Sequence, residues 1–353
     1  MVFSAQTTAT LLTTAAIAIG LVSCQSSPDQ AEQASPLQPG TGTSVQPAYA
    51  VLEELFQTEV VNLGLEQLGY TVEPGKQLDY AAMYVDLANG GTDFIADYWK
   101  LLHNEFFLNS GGDKVLEPLG VVVSDALQGY RIDQATAEKH GITDIAQLKD
   151  PEVAKLFDSD GDGKANLTGC NPGWGCELVI EHHLKAYDLE ATVQQDQGEY
   201  FALMANTITR YKQGDPILYY TWSPLWLNDV LVLGKDVDWL VVPFTSLPEK
   251  QGDVTTAQTT HDGKNLGFAI DEIMTLANRD FANQNPAATK FMTLVSIPIA
   301  DVSAQNELMQ QGQDTAADIR KHAEDWVTQN QTTFDGWIKQ ALEAEPQQTS
   351  TSN

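Results

Sequence analysis

Apolar residues in the body of the chain follow two patterns, helical spacing and short continuous runs. Residues 50–68 repeat apolar positions every three or four residues, which predicts an amphipathic helix. Runs rich in β-branched and aromatic residues predict strands at 94–96, 115–123, 129–132, 216–221, 237–242 and 267–277. Further helices are predicted at 177–187, 200–211 and over most of 286–342. Alternating strands and helices predict α/β lobes whose sheets are covered on both faces.

The N-terminus differs from this body. Residues 10–22 form an uncharged apolar run, too short to cross a bilayer, which needs about 20 such residues, but suited to a signal-peptide core. It ends in Leu21-Val22-Ser23-Cys24, which resembles the processing site of bacterial lipoproteins. We therefore predict a lipoprotein signal peptide over residues 1–24, with Cys24 lipidated. An ordinary cleaved signal with a chance cysteine is the alternative.

Composition indicates a folded, exported body on a flexible tether. Residues 25–42 are rich in Ser, Pro, Gln and Gly and predict a tether that buries no core. Of the 353 residues, 42% are hydrophobic, which is typical of a globular chain. Nineteen Lys and Arg against 48 Asp and Glu give a net charge of −29, which repels nucleic acids and anionic lipids. We expect no nucleic-acid partner, and contact with a membrane only through the lipid.

The cysteine count also favours an oxidising compartment. Of the three cysteines, Cys170 and Cys176 remain if Cys24 carries lipid. An even pair in an exported chain suggests a disulfide. Their spacing identifies no metal site, because no further ligands stand at zinc-site intervals.

The loop that contains this pair combines two kinds of binding group. Trp174 lies among glycines and a proline, and a helix is predicted to begin near Glu177. The backbone N–H groups of Gly175 and Cys176 would point forward from the positive end of that helix, where anions bind. A quaternary ammonium has no N–H to donate and is recognised by aromatic faces. The loop therefore predicts a site for a zwitterion with a methylated cation and a carboxylate.

Longer motifs carry a family resemblance. The stretch Leu167 to Cys176 and the stretch Tyr219 to Pro224 closely resemble the periplasmic glycine betaine/proline betaine-binding proteins of ABC importers. The likeness covers about residues 45–342 and includes Asp236 to Pro243, Asn285 to Ala288 and Phe334 to Trp337. It implies a two-lobed α/β periplasmic-binding-protein fold of type II, with two crossings and the ligand in the cleft. We assign 43–127 with 246–342 to lobe 1, 128–245 to lobe 2, and 343–353 to a disordered tail.

The resemblance also implies the residues of the site. Three tryptophans would enclose the quaternary ammonium, a histidine and two backbone N–H groups would hold the carboxylate, and the two loop cysteines would be disulfide-linked. The matching residues are Trp99, Trp174 and Trp222 for the cation, His103, Gly175 and Cys176 for the carboxylate, and Cys170 with Cys176 for the disulfide. His103 follows Trp99 by four residues, which predicts one helical face for both. The chain departs from the family in having Leu101 where proline is usual.

Several alternatives accompany this interpretation. The resemblance implies glycine betaine or proline betaine as the ligand, with choline, carnitine or another quaternary amine as alternatives. We expect a monomeric protein that needs no cofactor and delivers its ligand to an ABC permease. A ligand sensor would use the same pocket. An enzyme acting on choline-like substrates would need His103 as base, and the chain shows no Gly-x-Ser-x-Gly or HExxH motif.

One acidic loop resembles a metal site. Residues 158–166 match the first part of an EF-hand loop, but Gly169 stands where that loop has its bidentate Glu. We favour Asp-rich turns and predict no metal. A calcium site at Asp158, Asp160 and Asp162 is the alternative.

Overall fold

One long strand connects the two halves of the main sheet. The computed structural model describes residues 38–344, so the predicted signal peptide, Cys24 and the tail from 345 onward lie outside the described residues. The strands are β1 Ser44–Val45, β2 Pro47–Tyr49, β3 Thr71–Val72, β4 Lys76–Gln77, β5 Phe94–Trp99, β6 Leu116–Asp133, β7 Ala165–Thr168, β8 Val193–Asp196, β9 Leu218–Ser223, β10 Val237–Leu240, β11 Thr260–His261, β12 Lys264–Asn265 and β13 Asp271–Asn278.

Helices cover the sheet. They are α1 Leu55–Gln67, α2 Tyr80–Ala88, α3 Asn104–Asn109, α4 Gln134–His140, α5 Pro151–Ala154, α6 Gly175–Ala186, α7 Tyr200–Gln213, α8 Leu227–Val230, α9 Arg279–Gln284, α10 Pro286–Leu294, α11 Ile299–Gln310, α12 Ala316–Gln329 and α13 Gln331–Glu343. None of the helices within residues 38–344 is both long enough and apolar enough to cross a bilayer.

The main sheet runs in the order β4-β2-β5-β13-β6-β9-β7-β8, with β10 also paired to β6. Strand β6 pairs with β13 through Ala126 and with β9 from Leu127 onward. The two extended runs predicted at 115–123 and 129–132 are therefore one continuous strand that changes partner. Shifts of register along β13 bend this region, because an extra residue in one strand kinks the pair.

The start of the folded part differs from the composition-based boundary. The amide of Gln38 donates to the carbonyl of Gln67, and the backbone N–H of Gly40 donates to the carbonyl of Leu68. Gly40 is buried and packs against Tyr70 so closely that a side chain at this position would collide with the tyrosine ring. Residues 38–42, which composition assigned to the tether, therefore belong to the folded unit.

Three of the remaining tryptophans serve the core. Trp239, Trp326 and Trp337 are buried. Trp326 packs edge-on against Phe56 at 6.5 Å between ring centroids, and its indole N–H donates to Asp301 at 2.9 Å. A buried indole with its N–H satisfied stabilises a core, so Trp326 holds α1, α11 and α12 together.

Candidate functional site

One cavity brings all six predicted ligand-binding residues together. It lies between the ends of β5 and β9 and the start of α6. Ligands in open α/β sheets bind outside the carboxyl ends of strands, and the cavity occupies that place. The residues from the predicted set that line it are Trp99, Trp174, Trp222, His103, Gly175 and Cys176.

Aromatic rings make up much of the cavity wall. The rings of Trp174 and Trp222 lie 6.0 Å apart at 67°. Tyr200 packs against Trp222 at 4.7 Å. Tyr80 also lines the cavity, with its ring 5.7 Å from Trp174. We call Trp99, Trp174 and Trp222 the cage; Tyr80 is an aromatic neighbour that sequence reasoning missed.

The turn that carries His103 is not the predicted helix. Trp99 is the last residue of β5, and α3 begins only after His103. The N–H of His103 donates to the carbonyl of Trp99 at 2.8 Å, which closes a single turn. The prediction that both residues share one helical face is therefore wrong. This turn, residues 99–103, brings the two side chains to the same cavity.

A buried aspartate fixes this turn. The Asp271 carboxylate accepts the backbone N–H of Leu101 at 3.0 Å and that of Leu102 at 2.9 Å. Burial raises the pKa of Asp271 to about 6, and these amides oppose that rise. A proline at position 101 would lack the donated N–H. Leu101, which stands where the family usually has proline, therefore donates a backbone hydrogen bond that proline could not make.

The imidazole of His103 is a neutral hydrogen-bond donor. Burial lowers the pKa of His103 to about 3, so the ring is uncharged near neutral pH. The hydroxyl of Tyr84 lies 3.1 Å from Nδ1. Burial raises the pKa of Tyr84 well above its ordinary value, so this hydroxyl keeps its proton and is able to donate to Nδ1. In the tautomer that carries its proton on Nε2, Nδ1 accepts from Tyr84 and Nε2–H is the donor that the ring offers to a ligand.

The start of α6 supplies backbone N–H groups. The helix begins at Gly175, slightly earlier than the predicted start near Glu177, with Trp174 as its N-cap. The first N–H groups of a helix have no acceptor within it and lie at its positive end. Cys176 is disulfide-linked to Cys170, which confirms the predicted pair and ties this helix start to the preceding loop.

The contact between α6 and the 99–103 turn requires glycine at 175. A Cβ there would stand 2.7 Å from the backbone oxygen of Leu102, closer than real Cβ atoms come. We expect Gly175→Ala to push the turn from the helix and weaken ligand binding about tenfold, as the loss of one charge-assisted hydrogen bond would. Calorimetry measures this, with Gly336→Ala as the control, since that position faces open space. An unchanged dissociation constant would contradict the close contact.

Three acidic groups near the cage were not predicted. Glu53, Glu54 and Asp97 all line the cavity. Alternate residues of a strand share one face, so the Asp97-x-Trp99 spacing on β5 was a usable signal. Glu53 and Glu54 precede α1, and no sequence pattern marks them as near β5.

The acidic loop lies elsewhere. Carboxylate oxygens of Asp158, Asp160 and Asp162 lie within 4.8 Å of one another. Asp158 accepts the N–H groups of Gly161 and Gly163 at 2.7 and 2.9 Å. These contacts are those of Asp-rich turns, and none of the three aspartates lines the cavity.

Comparisons with known proteins identify the family of the chain. Residues 46–329 match the family described as the substrate binding domain of ABC-type glycine betaine transport system. The chain is 48% identical over 308 residues to the glycine betaine/proline betaine-binding periplasmic protein of Salmonella typhimurium, covering 87% of this chain and 92% of that protein.

Solved structures share the fold. Lactococcal OpuAC, in its closed-liganded conformation complexed with glycine betaine, has a TM-score of 0.64 at 20% identity, over 84% of this chain and 99% of that one. An ABC-transporter choline binding protein in complex with choline has a TM-score of 0.67 at 18% identity, and the match covers 85% of this chain and 96% of that one. The predicted two-lobed α/β fold of type II is thereby confirmed. The extent of the family match and of the sequence identity shows that this chain belongs to the substrate-binding domains of ABC-type glycine betaine transport systems.

Proposed function

We propose that this protein binds glycine betaine or proline betaine outside the cytoplasm and delivers it to an ABC importer for osmoprotection. The observation that carries the proposal is the single cavity that unites the cage, His103 and the start of α6. A methylated ammonium and a carboxylate need these two kinds of partner, and one small zwitterion presents both. The relative from Salmonella typhimurium carries the same two ligands in its name.

The two ends of the ligand bind to different parts of the cavity. The quaternary ammonium contacts the faces of Trp99, Trp174 and Trp222, each worth about 0.5–2 kcal/mol. The carboxylate accepts from His103 Nε2 and from the first N–H groups of α6, at about 1.5–3 kcal/mol for each such bond. Micromolar affinity needs about −8 kcal/mol net, so these contacts suffice after the entropic cost of binding.

Delivery requires a membrane partner and a place at the envelope. We infer that the closed, ligand-bound monomer docks on a permease, with lobe boundaries at 127/128 and 245/246. Cys24 would carry the lipid that holds the protein at the membrane. Mass spectrometry of the N-terminal peptide tests this anchor, and an unmodified Cys24 in the mature chain would disprove it.

A ligand panel tests the function. We expect glycine betaine and proline betaine to change tryptophan fluorescence saturably with micromolar dissociation constants, because Trp174 and Trp222 line the cavity. Choline and carnitine share the methylated cation. Glycine has the carboxylate but an unmethylated, strongly hydrated ammonium, so glycine is the negative control. Absence of saturation by every methylated amine would disprove the proposal.

The choline alternative has support only at the cation. The solved choline-binding protein shares the fold, and choline carries the same trimethylammonium group as glycine betaine. Choline has no carboxylate for His103 and α6, so we expect glycine betaine to bind more tightly. We propose binding without turnover; incubation with choline esters and glycine betaine, followed by a search for products, tests the enzymatic alternative.

A further inference from the structure

A pair of buried carboxyl groups lies beside the cage. Asp97 is on β5, and Glu54 lies just before α1. The two residues are 6% and 2% exposed, and both line the ligand cavity. Within residues 38–344, neither carboxyl is ion-paired with a Lys or Arg. A buried charge without a cationic partner is costly, so the pair needs an explanation.

Hydrogen bonds orient both carboxyls toward the site. Asp97 accepts the indole N–H of Trp99 at 2.9 Å and the amide of Gln57 at 3.3 Å. Glu54 accepts the hydroxyl of Tyr80 at 2.5 Å and the N–H of Ala50 at 2.6 Å. Each of the two carboxyls also shifts the pKa of the other, and two neighbouring carboxyl groups resist carrying a negative charge at the same time.

The proton belongs to Glu54. Burial, followed by the nearby charge of Asp97, raises the pKa of Glu54 well above its ordinary value. Burial raises the pKa of Asp97 only to about 6, because Trp99, Glu54 and Gln57 donate to it. Asp97 therefore loses its proton before Glu54 does, and it carries negative charge at pH 7.5.

We propose that the Asp97 carboxylate is the counter-charge to the ligand's ammonium and makes this site select a charged ligand over a neutral one of the same shape. The inference rests on the proposed function and adds a specificity-determining residue to it. The Asp97 carboxylate accepts a hydrogen bond from the N–H at the edge of the Trp99 indole. A cation that stacks on the face of this indole therefore lies close to the carboxylate. The hydrogen bond also drives electron density into the indole, which strengthens its negative face.

The same carboxylate tolerates the anionic end of the ligand. Coulomb energy falls with distance, and the ligand's carboxylate is directed to the donors at His103 and α6, away from the Trp99 ring. Among the other groups around the pair, Glu53 is a further carboxyl of the cavity that can carry charge at pH 7.5, because burial raises its pKa to about 7. Tyr80 and Tyr84 have raised pKa values and His103 a lowered one, so all three are neutral. Asp271 is ionised but accepts backbone N–H groups.

A neutral isostere of the ligand tests the proposal. In 3,3-dimethylbutanoate a carbon replaces the nitrogen of glycine betaine, so the shape and the carboxylate remain while the positive charge is absent. We expect Asp97→Asn at pH 7.5 to weaken glycine betaine binding about tenfold, because the counter-charge is lost. The same variant should bind the isostere more tightly, because the repulsion of its carboxylate is removed. The side-chain carbonyl of the introduced asparagine can still accept the indole N–H, so Trp99 keeps its position.

Matched variants decide between charge and structure. Glu54→Gln leaves the charge of Asp97, so the ratio of the glycine betaine affinity to the isostere affinity should stay within about twofold of the wild-type ratio, whatever the change in the two affinities themselves. Glu53→Gln, at another carboxyl of the cavity, controls for a general loss of acidity. Equal weakening of both ligands in Asp97→Asn, or no change in either, would overturn the inference. Loss of selectivity in Glu54→Gln would do so as well, even if Asp97→Asn did not fold. Failure of the wild type to bind glycine betaine would instead refute the proposed function.

Discussion

Replacement of Trp174 with alanine is expected to weaken glycine betaine binding at least about tenfold. The ring centroid of Trp174 lies 6.0 Å from that of Trp222, 5.7 Å from that of Tyr80 and 6.4 Å from that of Tyr200. Its removal deletes one face of the cage and leaves the neighbouring rings free to move. The loss of one cation–π contact accounts for about 1.4 kcal/mol, which is tenfold. Calorimetric titration measures the change.

Two further substitutions separate aromatic character from apolar size. Trp174→Phe keeps a ring face and should retain more affinity than the alanine variant. Trp174→Leu introduces an apolar side chain of a size similar to phenylalanine but without an aromatic quadrupole. We expect the leucine variant to bind glycine betaine as poorly as alanine does. Thermal unfolding controls for damage to the fold. Equal affinity of the phenylalanine and leucine variants would show that Trp174 contributes only packing.

The family resemblance carried by short motifs predicted the cage and the Cys170–Cys176 disulfide. The stretch that holds Cys170, Trp174 and Cys176 is contiguous, so its residues are brought together by local geometry. Trp99 and Trp222 each lie at the end of a buried strand, and strand ends meet at one edge of a sheet. These features depend on neighbours in sequence and on a general rule of topology.

Contacts between distant segments were beyond the sequence. The Asp271 carboxylate that fixes the 99–103 turn is 170 residues from Leu101. The helix predicted for Trp99 and His103 was wrong because β13 extends the pairing of β5 as far as Trp99. Glu54 meets Asp97 for a similar reason: the start of α1 and strand β5 lie together only in the folded chain. Residue spacing along the chain predicts neither contact, since each depends on how distant segments come together in the fold.

Replacement of His103 with alanine is expected to weaken glycine betaine binding about tenfold or more. The loss is that of one hydrogen bond to a charged group, about 1.5–3 kcal/mol. Tetramethylammonium has a cation but no carboxylate, so its binding should change by less than about threefold. Parallel titrations of both ligands measure the contrast, and equal losses would show that His103 only supports the cage.

The protonation state of His103 gives this prediction a second arm. Its pKa of about 3 keeps the ring neutral across the working range near neutral pH, since a histidine is uncharged above its pKa. The ratio of wild-type to His103→Ala affinity should therefore stay constant over that range. An imidazolium donor would instead make the ratio grow as pH falls. Tyr84→Phe removes the donor to Nδ1 and frees the other tautomer, so it should lower affinity about threefold; no change would mean that Tyr84 does not set the tautomer.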